Sequence, residues 1–249
     1  DSWVETSAAN TYTYNENGNR LSRVGGLPRF TAQSISPVAN SNRIGTYNGS
    51  SYLYDAAGNS QTDPETGRIS IYNASGRLST FLVAGSTQYN LYDGQGVLAR
   101  TEVDSNCGCT CTQVFEYFTF TPDGRALSLS QRTPGGPRVD YDYIWLDDLP
   151  IAQVAESYLS NGSHLSTAIT YLHPDHLGTP RLGTAATGLI VWKMQSDGFG
   201  KPHITSPLEG NNITVDVRLR LPGQIAYGVG GINYNYYRDY DPNVGRYLE

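Results

Sequence analysis

The stretch YLHPDHLGTPR at 171–181 brings His173, Asp175, His176 and Arg181 together. Side chains of these types could hold a metal ion or act as general bases. Histidines three apart suit one face of a helix. Here Pro174 and Pro180 flank them and Gly178 follows, so the segment reads as a strand entering a turn. In that reading Asp175 and His176 bond the turn backbone, Gly178 takes a positive φ, and Thr179-Pro180 starts the next strand. The chain has neither the helical zinc-protease pattern nor a nucleophile elbow. Asp147 and Asp148, in WLDDLP, are neighbours, and neighbours on a strand face opposite ways. They make a poor acid–base dyad and read as a turn before Pro150. Cys107, Cys109 and Cys111 form CGCTC. Clustered thiolates bind zinc or copper(I), but three ligands leave a structural zinc site one short, and no His lies nearby in sequence. Cysteines this close on an extended segment are badly placed for an unstrained disulfide. A local loop insertion is the other reading. Near the end, YRDYDPNVG carries Arg238, Asp239 and Asp241. Asp239 and Asp241 could share a strand face, yet Pro242 and Gly245 mark a turn that takes Asp241.

Something must position these residues, and composition points to β-structure. The 249 residues include 19 Tyr against 6 Phe, with 27 Gly and 13 Pro. Tyr suits strands with one buried edge, and Gly and Pro punctuate turns. The net charge is −6 and the 17 Lys and Arg are scattered. That excludes a nucleic-acid groove or a polybasic membrane patch. No apolar run is long enough to span a bilayer. The chain begins DSWVETSAAN, without Met or a signal pattern, and reads as a mature or internal fragment.

A short repeat organises the first half. YTYNENGNRL (12–21), YLYDAAGNS (52–60), IYNASGRL (71–78), LYDGQGVLAR (91–100) and FTFTPDGRAL (118–127) each place an aromatic four residues before a Gly. The pairs are Tyr14–Gly18, Tyr54–Gly58, Tyr72–Gly76, Tyr92–Gly96 and Phe120–Gly124. Tyr54 to Tyr72 is 18 residues and Tyr72 to Tyr92 is 20. Tyr14 to Tyr54 is 40, two periods with a degraded copy between. Tyr92 to Phe120 is 28, with the cysteine segment as the excess. An aromatic strand, an Asx turn, a positive-φ Gly and a return strand make one β-hairpin. A unit this small cannot bury a face alone, so neighbours must stack into a long antiparallel sheet. The period is half that of a propeller blade.

These residues resemble the YD repeat of the Rhs/YD-repeat superfamily, which includes bacterial Rhs polymorphic toxins, the C components of insecticidal Tc toxins and teneurins. Further on, YIWLDDLPIAQV (143–154), YLHPDHLGTPR, RLRLPGQ (218–224) and NYNYYRDYDPNVGRYL (233–248) resemble the Rhs repeat-associated core. The resemblance implies an all-β fold: YD-repeat hairpins over 1–140 and a core segment over 141–249, in a curved or spiralling sheet that forms part of a hollow cocoon. It implies a secreted or cell-surface bacterial shell that encloses a C-terminal toxin polypeptide. Its implied partners are that toxin, other shell segments of the same gene product and a secretion-system component; no cofactor is implied. It further implies an aspartic self-protease. Asp239, in the Arg238-Asp239 pair, supplies one carboxylate, and Arg238 orients it or holds it ionised. The second carboxylate belongs to a DPxG motif just downstream of GRYL, beyond residue 249. A salt bridge to an arginine is the structural alternative for Asp239. Two rival functions make separate demands. An extracellular adhesion or carbohydrate-binding module needs outward aromatics, and a hydrolase needs His173, Asp175 and His176 to converge in a cleft.

Overall fold

The computed structural model describes residues 10–25, 31–105, 112–205 and 215–248, and every regular element among them is a β-strand. The chain forms two compact units, Asp1–Ile69 and Ser70–Glu249. In the first, β1 (Asn10–Tyr14), β2 (Arg20–Gly25), β3 (Gln33–Pro37), β4 (Ile44–Tyr47) and β5 (Ser50–Ser51) pair in chain order. Ile35, Ile44, Tyr47 and Tyr52 supply its buried apolar side chains. A hairpin of β6 (Thr62–Asp63) and β7 (Arg68–Tyr72) follows, and the boundary between the units falls inside β7.

In the second unit the strands again follow one another. They are β8 (Leu78–Val83), β9 (Ser86–Tyr92), β10 (Leu98–Ser105), β11 (Thr112–Phe120), β12 (Ala126–Arg132) and β13 (Arg138–Leu146), then β14 (Leu149–Tyr158), β15 (His164–Pro174), β16 (Pro180–Thr184), β17 (Ile190–Ser196) and β18 (Pro202–Thr205). Each pairs antiparallel with the next. The expected all-β sheet of stacked hairpins is therefore the observed fold.

One turn geometry recurs along it. In each of the five copies, the residue after the aromatic donates its N–H to the carbonyl four residues on. The Gly N–H then closes back on that residue's own carbonyl, as in Asp93 N to Val97 O (2.9 Å) and Gly96 N to Asp93 O (3.0 Å). Asn15, Asp55, Asn73 and Asp93 add a side-chain oxygen that accepts the N–H four residues on. Thr121 does the same through Oγ1. The glycines lie in the left-handed region, at φ 80° for Gly96, where a Cβ is disfavoured. In the degraded copy, Val38 N reaches Arg43 O, so the loop is one residue longer. The turn also continues past the recognisable repeats, at 159–163, 175–179, 185–189 and 197–201. Of these only 159–163 keeps the aromatic, as Tyr158; Pro174, Thr184 and Ser196 stand in its place elsewhere.

The C-terminal stretch forms a smaller sheet of β19 (Ile225–Ala226), β20 (Asn233–Asn235), β21 (Arg238–Asp241) and β22 (Arg246–Tyr247). It packs on one face of the long sheet. Ile225, Tyr227, Ile232 and Tyr234 share a core with Leu78, Phe81, Leu98, Phe118, Leu129 and Trp192. Arg77, in the turn before β8, donates to the Tyr237 carbonyl. Tyr240, three residues on, donates to Phe199 O (2.8 Å) in the turn after β17. Three residues span about 10 Å, whereas β8 to β17 laid flat would cover about 43 Å at ~4.8 Å per strand. The sheet therefore curves around the stretch, without closing into a barrel.

Candidate functional site

Asp239 lies in the middle of this docked stretch. It is 1% exposed, on β21, directly across from Tyr234 of β20. The Tyr227 hydroxyl donates to its Oδ1. Tyr227 and Tyr234 meet edge to face, their ring centroids 6.3 Å apart. The Tyr234 oxygen accepts the Leu98 N–H of the long sheet at 2.9 Å. Burial pushes the Tyr234 phenol well above its ordinary value, and the Leu98 N–H only partly opposes this. Asp239 is thus a buried carboxylate held by a phenol that is itself wedged against the sheet.

Its neighbours in sequence go elsewhere. Arg238 is exposed and lies on the ring of Tyr247, with its guanidinium carbon 3.6 Å from the centroid. Alternation along β21 sends the two side chains to opposite faces, so the structure does not bring Arg238 onto the Asp239 carboxylate. Asp241 is the turn residue its context indicated. Its carbonyl accepts Gly245 N (2.8 Å), and its Oδ1 accepts Asn243 N (2.9 Å). Gly245 has φ 68°, and a Cβ there would stand 2.6 Å from the Phe199 ring. The Leu248 N–H bonds the Asp239 carbonyl at 2.9 Å, which continues the Tyr240–Tyr247 register and sets the chain's end beside Asp239.

The other candidates do not converge. Asp175 takes the Asx position of a repeat turn, accepting Leu177 N (2.9 Å), Thr179 N (3.0 Å) and Arg181 Nε (2.9 Å). His173 lies exposed on β15 against Thr184 Oγ1, 2.9 Å away. His176 is exposed at the turn, so the expected backbone bonds come from Asp175 and not from His176, whose imidazole points to solvent. Asp147 and Asp148 form the two-residue turn between β13 and β14, with Asp147 at φ 50°. Cys107, Cys109 and Cys111 lie outside the described residues. Among the described residues no group of three or more His, Cys, Asp or Glu is placed to hold a metal ion. No helix among them is long and apolar enough to cross a membrane.

The residues that sequence reasoning missed are polar and face inward. Asn90, Thr101, Glu116 and Gln131 stand opposite one another on β9, β10, β11 and β12. Glu116, 2% exposed, accepts from Thr101 (3.2 Å), Gln131 (3.3 Å) and Gly228 N (2.7 Å), and pairs with Arg218 (3.3 Å). Gln88 takes Val229 N at 2.8 Å. Burial would lower the Arg218 guanidinium, but Glu116 and Asp216 outweigh it and push it up. This row holds down the segment on either side of Tyr227. Its signal was legible: in VFEYF, Glu116 occupies an apolar phase shared with Val114 and Phe118.

No family model matches the chain. Over 115 residues it is 29% identical to double-stranded DNA deaminase toxin A of Burkholderia cenocepacia (strain H111), a match covering 45% of this chain and 8% of that protein. Its structure is similar to the TcdB2–TccC3 complex without its hypervariable C-terminal region, with TM-score 0.76 and 18% identity over 97% of this chain. It is also similar to the Photorhabdus luminescens Tc holotoxin pore, with TM-score 0.72 and 18% identity over 96% of this chain. The chain spans 12% of the length of each of these structures. At such identity the likeness establishes the fold, a sequential-hairpin sheet with a docked C-terminal stretch.

Proposed function

We propose that the chain is a shell segment of an Rhs-type toxin, with residues 1–140 as repeat sheet and 141–249 as core. In this reading it belongs to a secreted or cell-surface bacterial protein. The remaining shell segments and a C-terminal toxin polypeptide belong to the same gene product, and a secretion-system component acts in delivery. The observation that carries this reading is the hairpin sheet curving around a docked stretch that holds a buried carboxylate, Asp239. The relative is a toxin by name and one of the solved structures is a holotoxin pore by name, which supports it. The aromatics divide: Tyr141, Tyr143, Tyr227, Tyr234 and Trp192 are buried, and Tyr89, Tyr117, Tyr171 and Tyr237 are exposed, as a glycan platform would need.

The shell would also process its passenger. Asp239 supplies one carboxylate of an aspartic pair, oriented by Tyr227. The second comes from the DPxG segment following residue 249, delivered past Asp239 by the β21–β22 register. Two carboxylates sharing a proton divide the labour: one activates water and the other protonates the leaving amine. Water adds to the scissile carbonyl, the C–N bond breaks, and the passenger leaves with a new amino terminus. Arg238 serves this site as a positioning residue, by fixing Tyr247 and the end of β22.

The test is a gene product extended through that motif and its passenger, tagged at the C-terminus. A released fragment is expected on a denaturing gel. Asp239→Asn, which keeps an acceptor for Tyr227, should abolish release while the shell still protects the passenger from added protease. Release by the Asn variant, or self-cleavage of the 249 residues alone, would refute the catalytic assignment. A passenger digested as fast as free polypeptide would refute the shell.

A further inference from the structure

We propose that the pocket walled by Trp145, Leu177, Pro180, Arg220, Gln224 and Tyr236 binds an acidic side chain of a polypeptide, with Arg220 pairing its carboxylate. The pocket has a volume of about 410 Å³ and is lined mostly by apolar atoms. Tight turns at 123–126, 147–150 and 177–180 form one side, and the RLPGQ segment forms the other.

Arg220 is the feature that calls for a ligand. It is 7% exposed, and its Nη1 donates to the carbonyls of Val217 (2.7 Å) and Leu219 (2.9 Å). Its buried Nε has no partner. Among the described residues no carboxylate lies within ion-pair reach. Asp216 is held by Arg218, and Arg218 also takes Glu116. At the rim, Arg125 takes Asp148 (2.7 Å) and Asp123 (3.5 Å), so these carboxylates are already satisfied. Burial lowers the Arg220 guanidinium to about 10, which still leaves it a cation at neutral pH. Asp216 favours the charged guanidinium from beyond bonding distance, but a buried cation with no bonded counter-ion is costly unless something supplies the charge. A carboxylate meets the guanidinium fork with two parallel bonds. The apolar walls and the Trp145 and Tyr236 rings suit the stem and the flanking peptide, and would gain nothing from a bare inorganic anion. Gln224 and Asn235 line the same wall, and Asn235 Nδ2 is already engaged with the Tyr247 hydroxyl.

The test uses the whole 249-residue chain and reads the Nε–Hε correlation of Arg220 by NMR. The probes are N-acetyl-glutamyl-amide, its glutaminyl isostere, glutarate and inorganic phosphate. The capped glutamate should shift the signal saturably and bind about 10- to 100-fold tighter than the capped glutamine, the ratio expected for a charge-assisted bond. Arg220→Met should lose this binding while the chain still folds, as its circular dichroism would show. If Arg220→Met fails to fold, Arg220→Lys replaces it, with Trp145 fluorescence as the readout. The lysine keeps the charge but loses the fork, so binding should weaken. Equal binding of the two capped residues, or undiminished binding by either variant, overturns the site. Phosphate binding as tightly as the capped glutamate reduces it to an inorganic-anion site and overturns the peptide. Glutarate binding as tightly assigns it to free organic acids, with the same consequence.

Discussion

Asp175 is of the type that could act as a base, and it serves as the pivot of a turn, as its sequence context indicated. Burial alone would raise its carboxyl, but the Arg181 bond and the N–H groups of Thr179 and Leu177 outweigh it and hold it below its ordinary value. A carboxylate held low in the folded state contributes stability above its unfolded pKa, near 4. That contribution is lost as pH falls through the lower folded value. Asp175→Asn keeps an acceptor for the turn and removes the charge. Urea melts at pH 7 should find it about 0.5–1 kcal/mol less stable than wild type, the range of a partly exposed pair. The difference should shrink as pH falls below about 4, and a difference that grows in acid would refute the linkage. Tyr234 is a second case. Tyr234→Phe keeps the ring and strips the acceptor from the Leu98 N–H, leaving a buried donor unmet. A loss of about 1–3 kcal/mol is expected in the same melts, and no loss would mean that Leu98 finds water.

Strands were legible and their long-range partners were not. The Gly three residues after Asn15, Asp55, Asn73, Asp93 and Thr121 announced each turn, because the left-handed φ there admits little else. Residues 71–80 and 91–100 even share one burial pattern, position by position. The second half hid the same turn because the aromatic was replaced at Pro174, Thr184 and Ser196 while the Gly stayed. The boundary at Ile69/Ser70 left no mark, since it falls inside a strand of an unbroken repeat. Glu116 could be flagged as a polar residue in an apolar phase, but its partner Gly228 lies 112 residues on. No local pattern encodes that pairing. Glu116→Ala should therefore act at a distance. It strands the Gly228 N–H and leaves Arg218 with Asp216 alone, at a cost of about 1–3 kcal/mol for the unmet buried donor. Amide exchange should accelerate first at Gly228 and Val229. Gly228→Ala should loosen the same segment, because its φ is +53° and a Cβ would collide with the Gln88 amide that holds Val229 N. Exchange changes confined to β11 would refute the coupling.

At the scale of the molecule, the two kinds of contact differ in what they demand of the unfolded chain. Among the described residues, successive strands of the long sheet are joined by short turns, and loops this short have a small closure entropy. The docked stretch is held by Leu98–Tyr234, Asn90–Tyr227, Gln88–Val229 and Arg77–Tyr237, which join residues 136 to 160 apart. Those bonds also need the inner face to exist first, because Gln88, Glu116 and Leu98 sit on three different strands. The sheet should therefore form before the stretch docks. Substitutions that act only on the docked state should speed unfolding and leave the folding rate nearly unchanged. Tyr234→Phe is the cleanest probe, and Leu129→Ala, at a fully buried position of β12, is its counterpart in the sheet. Stopped-flow refolding should show Leu129→Ala slowing folding, while the Tyr234→Phe loss appears almost wholly in the unfolding limb. If Tyr234→Phe slows folding by its full stability loss, the stretch nucleates the sheet and the order is reversed.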